Sequence, residues 1–201
     1  MGLRQPVSVD DVHRCTTEVI NMLREGADRD WSLPAGTLEW SCHRTVEHMA
    51  DCLFSYAGQV AVRPADHYVP FLVTADEGSS PAQMAEFVMA AGGVLAAVVD
   101  HASAGIRAYH PSGMADPEGF AAMGCVELLV HGHDVATGLR LDPDPPRDVC
   151  TRVLMRMFPQ IDVDGDSWDL LLWATGRREL PGRGHPGAGW RWHGAPVDML
   201  F

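Results

Sequence analysis

Lysine is absent from the 201 residues. Every one of the 15 basic side chains is an arginine, against 27 Asp and Glu, which leaves a formal net charge of −12. Without a basic stripe to neutralise phosphates, the chain is expected to bind neither nucleic acid nor an anionic membrane surface. The acid excess is spread along the chain and serves solubility. A lysine-free, arginine-only composition reads as the bias of a GC-rich coding sequence rather than as a physical need.

Other absences narrow the class further. The five cysteines (Cys15, Cys42, Cys52, Cys125, Cys150) are odd in number and form no CxxC, so free thiols in a reducing compartment are expected. The start, MGLRQPVSVDDVHRC, has no apolar core of the kind a secretory signal carries. No apolar run reaches the ~18 residues of a membrane span. A cytoplasmic protein is therefore expected. Strand-like alternation is nearly absent, repeats are absent, and hydrophobic residues make up 46%, enough for a real core. The expectation is an all-α fold.

What is present is helical periodicity. VSVDDVHRCTTEVINMLREGA has a stripe at Val12, Val19, Ile20 and Leu23, with Ser8 as N-cap, Asp10 and Asp11 in the first turn, and Gly26 as a stop. SCHRTVEHMADCLFSYAGQVAVR gives a second helix with Val46, Met49, Leu53 and Val60 on one face. A third starts near Ser80 with Pro81 in its first turn, and its Gly92–Gly93 pair suits close packing. A fourth, EGFAAMGCVELLVHGHDVATG, ends at Gly138. Beyond DPDPP, two shorter helices and a Gly/Pro/Trp-rich tail follow, with Trp190 and Trp192 expected to pack on the rest. Four main helices with long connections predict a bundle with crossovers.

The fourth helix carries charge inside an apolar run. Glu127 and His131 are four apart and share a face. His48 sits mid-helix between Val46 and Met49. If these two helices are neighbours, His48, Glu127 and His131 converge on one point. Two imidazoles and a carboxylate suit zinc or a similar divalent ion, and three protein ligands leave a position open for chemistry. The alternative for each histidine is a satisfied core or boundary residue. His133 is read as part of a solvated turn. Asp134 either holds an imidazole or bonds locally, and it or His133 could move protons. His13 and His43 are read as surface residues. Arg177 and Arg178 either bind a carboxylate group of a ligand or are surface charges at a helix end. Cys125, two residues before Glu127, faces away from that helix face, and no cysteine is expected to be the nucleophile.

Three stretches carry a family resemblance. LEWSCHRTVEHMADCL and VELLVHGHDVATGL resemble, in order, the two metal-bearing segments of the DinB-like superfamily in its mycothiol-dependent maleylpyruvate isomerase branch. SWDLLLWATGRRELPG followed by WRWHGAP resembles a C-terminal stretch of actinobacterial members, which fits the lysine-free composition. The segment from about Arg63 to Pro117 matches no motif. The resemblance implies a DinB-like four-helix bundle over residues 1–140, with 141–201 as a helical and coil extension packed on it. It implies a divalent metal, usually zinc, on His48, Glu127 and His131, and mycothiol as cofactor or co-substrate. The implied activity is that of an isomerase or S-transferase, in a monomer or homodimer, acting on a small electrophile. A hydrolase using zinc and water on the same fold, or a non-catalytic binding bundle, are the alternatives.

Overall fold

The computed structural model describes residues 4–184 and 190–196. Among these residues the regular structure is helical, with isolated bridges Pro34–Ser41 and Ala108–Ala115 and no strand. The elements are α1 (Val9–Glu25), α2 (Cys42–Val62), α3 (Pro81–His101), α4 (Pro117–Val126), a π turn (Glu127–His131), α5 (Gly132–Leu139), α6 (Arg147–Met157) and α7 (Ser167–Ala174).

The helix starts follow local chemistry. In α1, Ser8 Oγ accepts the Asp11 amide, and the Asp11 carboxylate accepts the Ser8 amide in return. In α3, Ser80 and Gln83 make the same reciprocal box, with Pro81 in the first turn. Each box satisfies two backbone donors that a helix start leaves free. Asp116 caps α4 through the Gly119 amide at 2.8 Å.

Four long rods pack together. α3 lies against both α1 and α2, and the continuous rod of α4, π turn and α5 packs on α1 and α2 from the other side. The apolar stripes meet in one core, with Val12, Leu23, Val46, Met49, Leu53, Leu95, Phe120 and Leu128 buried. Of the predicted glycine pair only Gly92 makes a close approach. A Cβ there would lie 2.3 Å from Thr16 Oγ1 on α1, whereas Gly93 faces open space.

Three sequence expectations are corrected by the structure. The fourth helix is not uniform α, since its middle turn widens to π at Glu127–His131. The last helix stops at Ala174 rather than running through Arg177 and Arg178, and Gly176 turns the chain at φ 76°. α3 is long and apolar enough to cross a membrane by length and composition, with mean hydropathy 1.7, although no such run was expected. Of that window 44% is buried inside the protein, where α3 packs on α1 and α2.

The connection between α2 and α3 is held by side chains. It runs back along α2, and its amides at Val69, Val73 and Ala75 donate to Gln59, Asp51 and Glu47 at 2.8, 2.8 and 3.1 Å. Glu47 and Asp51 are one turn apart on α2, and Gln59 lies about two turns beyond them. They do for this strap what a neighbouring strand does in a sheet: they satisfy its backbone donors.

The C-terminal part is joined to the rods by ion pairs. Arg152 on α6 grips Asp11 on α1 at 2.6 and 3.0 Å. Arg156 is fully buried. Its NH2 donates to Asp116 at 2.8 Å and to the Gly194 carbonyl at 2.9 Å, and its NH1 donates to the His193 carbonyl at 3.1 Å. One guanidinium thus ties α6, the start of α4 and the tail together. Trp190 and Trp192 pack against the core, ring to ring at 5.9 Å, beside Phe158 and His110. Replacing Arg156 by Met removes the charge partner of Asp116 and two donors to tail carbonyls. The expected loss is about 3 kcal/mol, read as a lower denaturant midpoint with the helical circular dichroism otherwise intact.

Candidate metal centre

The centre lies where α2 faces the π turn. His48, Cys52 and Tyr56 run at four-residue intervals along α2 and point the same way. Opposite them the π turn begins at Glu127 and ends at His131. Single-turn π segments interrupt helices preferentially at functional sites, and here the widened turn carries both facing ligands. The convergence predicted for His48, Glu127 and His131 is observed: one ligand atom from each lies within 4.8 Å of the others.

Each member is held from behind. The Tyr56 hydroxyl donates to Glu127 Oε1 at 2.8 Å, leaving Oε2 turned to His131 Nε2 at 3.3 Å. His131 Nδ1 donates to Asp134 Oδ2 at 3.1 Å. Asp134 in turn accepts from Arg177 NH2 at 2.9 Å and from Nε at 3.3 Å. A guanidinium, a carboxylate and an imidazole therefore stand in series. This fixes which ring nitrogen faces the centre, as outer-layer carboxylates do around metal-binding histidines. His48 is half-buried between the Trp40 ring at 5.0 Å and the His131 ring at 5.2 Å.

The other candidates are distributed as follows. Arg177 is engaged with Asp134. Arg178 pairs with Asp169 at the surface. His133 corrects the expectation of a solvated turn: it is half-buried, edge-on to the Trp168 ring at 5.6 Å, and Asp134 beside it is buried. His13 is exposed, while His43 is half-buried near the Ser79 carbonyl at 3.2 Å. Cys125 is buried in the core. Two neighbours escaped the sequence reading, Cys52 and Tyr56. Their signal was the four-residue spacing from His48, hidden because Cys and Tyr pass as ordinary core residues.

The charges at the centre are coupled. Burial alone would raise Glu127, but the hydrogen bond and charge of His131, with the Tyr56 hydroxyl, hold it below the usual carboxylate range. Burial would lower His131, but Asp134 and Glu127 outweigh it and push it up to about 9. Burial lowers His48, with Glu127 pulling weakly the other way. Asp134 is held low by His131 and Arg177 against its burial. Without an ion, two carboxylates face one imidazolium and one guanidinium, and the cluster is neutral.

The donor set fits a divalent cation. It offers two imidazoles and one carboxylate, the zinc-type set. His48 is shifted toward its neutral, ligating form, and among the described residues no carboxylate or carbonyl hydrogen-bonds its nitrogens. Ligand atoms around one ion at about 2.1 Å stand roughly 3.4 Å apart, so side-chain adjustments within the 4.8 Å set suffice to close on it.

This arrangement dictates a pH dependence. His131 must lose its proton to ligate, so metal affinity rises with pH up to about 9 and levels off above. At pH 7 His131 should contribute about one of the protons that calorimetry in buffers of differing ionisation enthalpy finds released per ion bound. The metal-free protein behaves in the opposite sense. Its folded-state His131 value lies above the unfolded one, so that contribution to stability is full below the unfolded value and is lost as pH rises through about 9. Asp134→Asn should weaken metal binding by about 10- to 100-fold, measured by competition with a chelating dye.

Comparisons with protein-family models, with curated proteins and with solved structures returned no match.

Proposed function

We propose that the protein is a DinB-like four-helix bundle that binds a divalent metal, zinc, through His48, Glu127 and His131 and uses a small thiol to act on a small electrophile. The observation that carries the reading is the convergence of those three side chains, with Tyr56, Asp134 and Arg177 holding two of them from behind. The resemblance of the two helical segments adds mycothiol as the thiol and isomerase or S-transferase as the reaction class.

A divalent ion held there supplies a Lewis acid that favours the thiolate form of a thiol near neutral pH. The chain's own residues do the rest. Glu127 is the single anionic ligand. The Asp134 charge is offset by Arg177, so the protein contributes one net negative charge once His131 is neutral. With the fourth position open, that leaves the loaded centre net positive and attractive to a thiolate, within a chain of net charge −12.

Two neutral donors stand near Tyr56. The His110 ring is 6.1 Å from the Tyr56 ring and 5.9 Å from the Tyr68 ring. Burial lowers His110 to about 4. Its Nδ1 accepts the Ser112 amide at 3.0 Å, so the proton of the neutral ring sits on Nε2. Burial also keeps the Tyr68 phenol protonated. Neutral donors of this kind stabilise negative charge that develops on a conjugated carbonyl as a nucleophile adds. Trp40 covers the outer edge of His48.

The test measures product from a panel of small conjugated electrophiles by zinc-loaded protein, with and without mycothiol. Turnover is expected only with the thiol, and equal rates in both would replace this reading with hydrolysis using water. His48→Ala should lower bound zinc and turnover by roughly a hundredfold or more, as read by elemental analysis and rate. Its thermal midpoint should move little, because packing of the apolar stripes holds the rods together.

A further inference from the structure

The α2 stripe that reaches the metal centre has three members, and the middle one is a thiol. His48 belongs to the triad and Tyr56 holds Glu127, with Cys52 one turn from each. Cys52 Sγ lies 3.5 Å from His48 Nε2 and 3.8 Å from His48 Nδ1. Nearly equal distances to both ring nitrogens place the sulfur off the direct line of either, so no well-aligned hydrogen bond fixes the thiol. Among the described residues it has no other hydrogen-bond partner. Cys15, Cys42, Cys125 and Cys150 are all buried, whereas Cys52 keeps some exposure.

In its present place the sulfur lies about as far from His48 as two donors on one ion do. A sulfur and a nitrogen on one tetrahedral zinc ion, at about 2.3 and 2.0 Å, stand about 3.5 Å apart. The sulfur is nevertheless outside the set of atoms that lie within 4.8 Å of one another, which comprises His48, Glu127 and His131. Rotation of Cys52 about χ1 moves Sγ between staggered positions on the order of 3 Å apart. A displacement of that size is on the scale needed to bring the sulfur into the set or to withdraw it.

We propose that Cys52 is a displaceable fourth ligand of the metal, closing the open coordination position until a small thiol takes its place. The inference rests on the metal centre proposed above. In the ligation step the Cys52 S–H bond breaks, its proton passes to solvent, and the sulfur lone pair forms the bond to the divalent ion; nothing is oxidised or reduced. With Cys52 engaged, the donor set is two nitrogens, one oxygen and one sulfur, which selects zinc or cobalt over magnesium, calcium or manganese. On exchange the incoming thiol gives up its S–H proton as its sulfur binds the ion, Cys52 takes up a proton as its bond to the ion breaks, and the charge of the centre is unchanged.

Cobalt(II) added to the metal-free chain supplies the test. A thiolate-to-cobalt charge-transfer absorption in the near ultraviolet is expected with no thiol added. Cys52→Ala should remove that band, keep the visible cobalt bands of the remaining ligands, and weaken cobalt binding about tenfold. Cys52→Ser should behave the same way, and unchanged helical circular dichroism in both variants would exclude a folding defect. Cobalt bound by the unaltered protein without the near-ultraviolet band would overturn the role of Cys52. If 2-mercaptoethanol then produced the band, use of an external thiol would survive while this inference fell. Failure of cobalt to bind at all would bring down the metal centre and this inference together.

Discussion

Glu127 is a carboxylate placed among packed helices, and the structure depends on its never being without a positive partner. An ionised carboxylate in such a place costs several kcal/mol unless paired. In the ion-free protein the partner is the proton on His131, kept there by Asp134 on its far side. Asp134 would then need a partner of its own, and Arg177 provides it from beyond α7. The chain of compensation runs from the interior out to the C-terminal part of the molecule. A cation bound there would take over the task of the His131 proton. The Tyr56 hydroxyl engages Oε1 of Glu127 and leaves Oε2 to His131.

The stretches legible in the sequence were those whose cause is local. Ser8 and Ser80 announce helix starts because capping involves residues three apart. The stripe through Val12, Val19, Ile20 and Leu23 announces a buried face because the helix repeats its own period. His48, Glu127 and His131 were legible because charged or titratable residues in apolar runs demand an explanation. The π turn was not, since one widened turn leaves the hydrophobic pattern of VELLVH unchanged. Arg177 was read as free to bind a ligand or solvent, because its partner Asp134 is 43 residues away and nothing local links the two. His133 was misplaced for the same reason: Trp168, which covers it, arrives from another helix. Cys52 and Tyr56 were overlooked because neither residue type is conspicuous inside a helix. Their meaning comes from standing one and two turns after a histidine.

The same separation of local from distant causes explains how α2 does two jobs. Its stripe at His48, Cys52 and Tyr56 faces the centre. Glu47, Asp51 and Gln59 on the same helix hold the connection that carries Tyr68. Both sets ride on one helix, so a displacement of α2 moves His48 and the connection beside it together. Arg156 plays a comparable part at the other end, where it fixes the start of α4 to the tail whose tryptophans cover His110.

The strap from Val69 to Ala75 is anchored by its backbone amides, and the anchoring carboxylates and amide belong to α2. Much of its attachment is thereby independent of side-chain identity, while Phe71 also packs on Gly58 and Ala75 on the core. Tyr68 and its neighbours can be exchanged by mutation while the ribbon stays moored, as the keys of a lock can be recut without moving the door. Descendants of such a chain could vary what surrounds the candidate site while keeping His48, Glu127 and His131 intact. The strap is where diversity among them is most cheaply written.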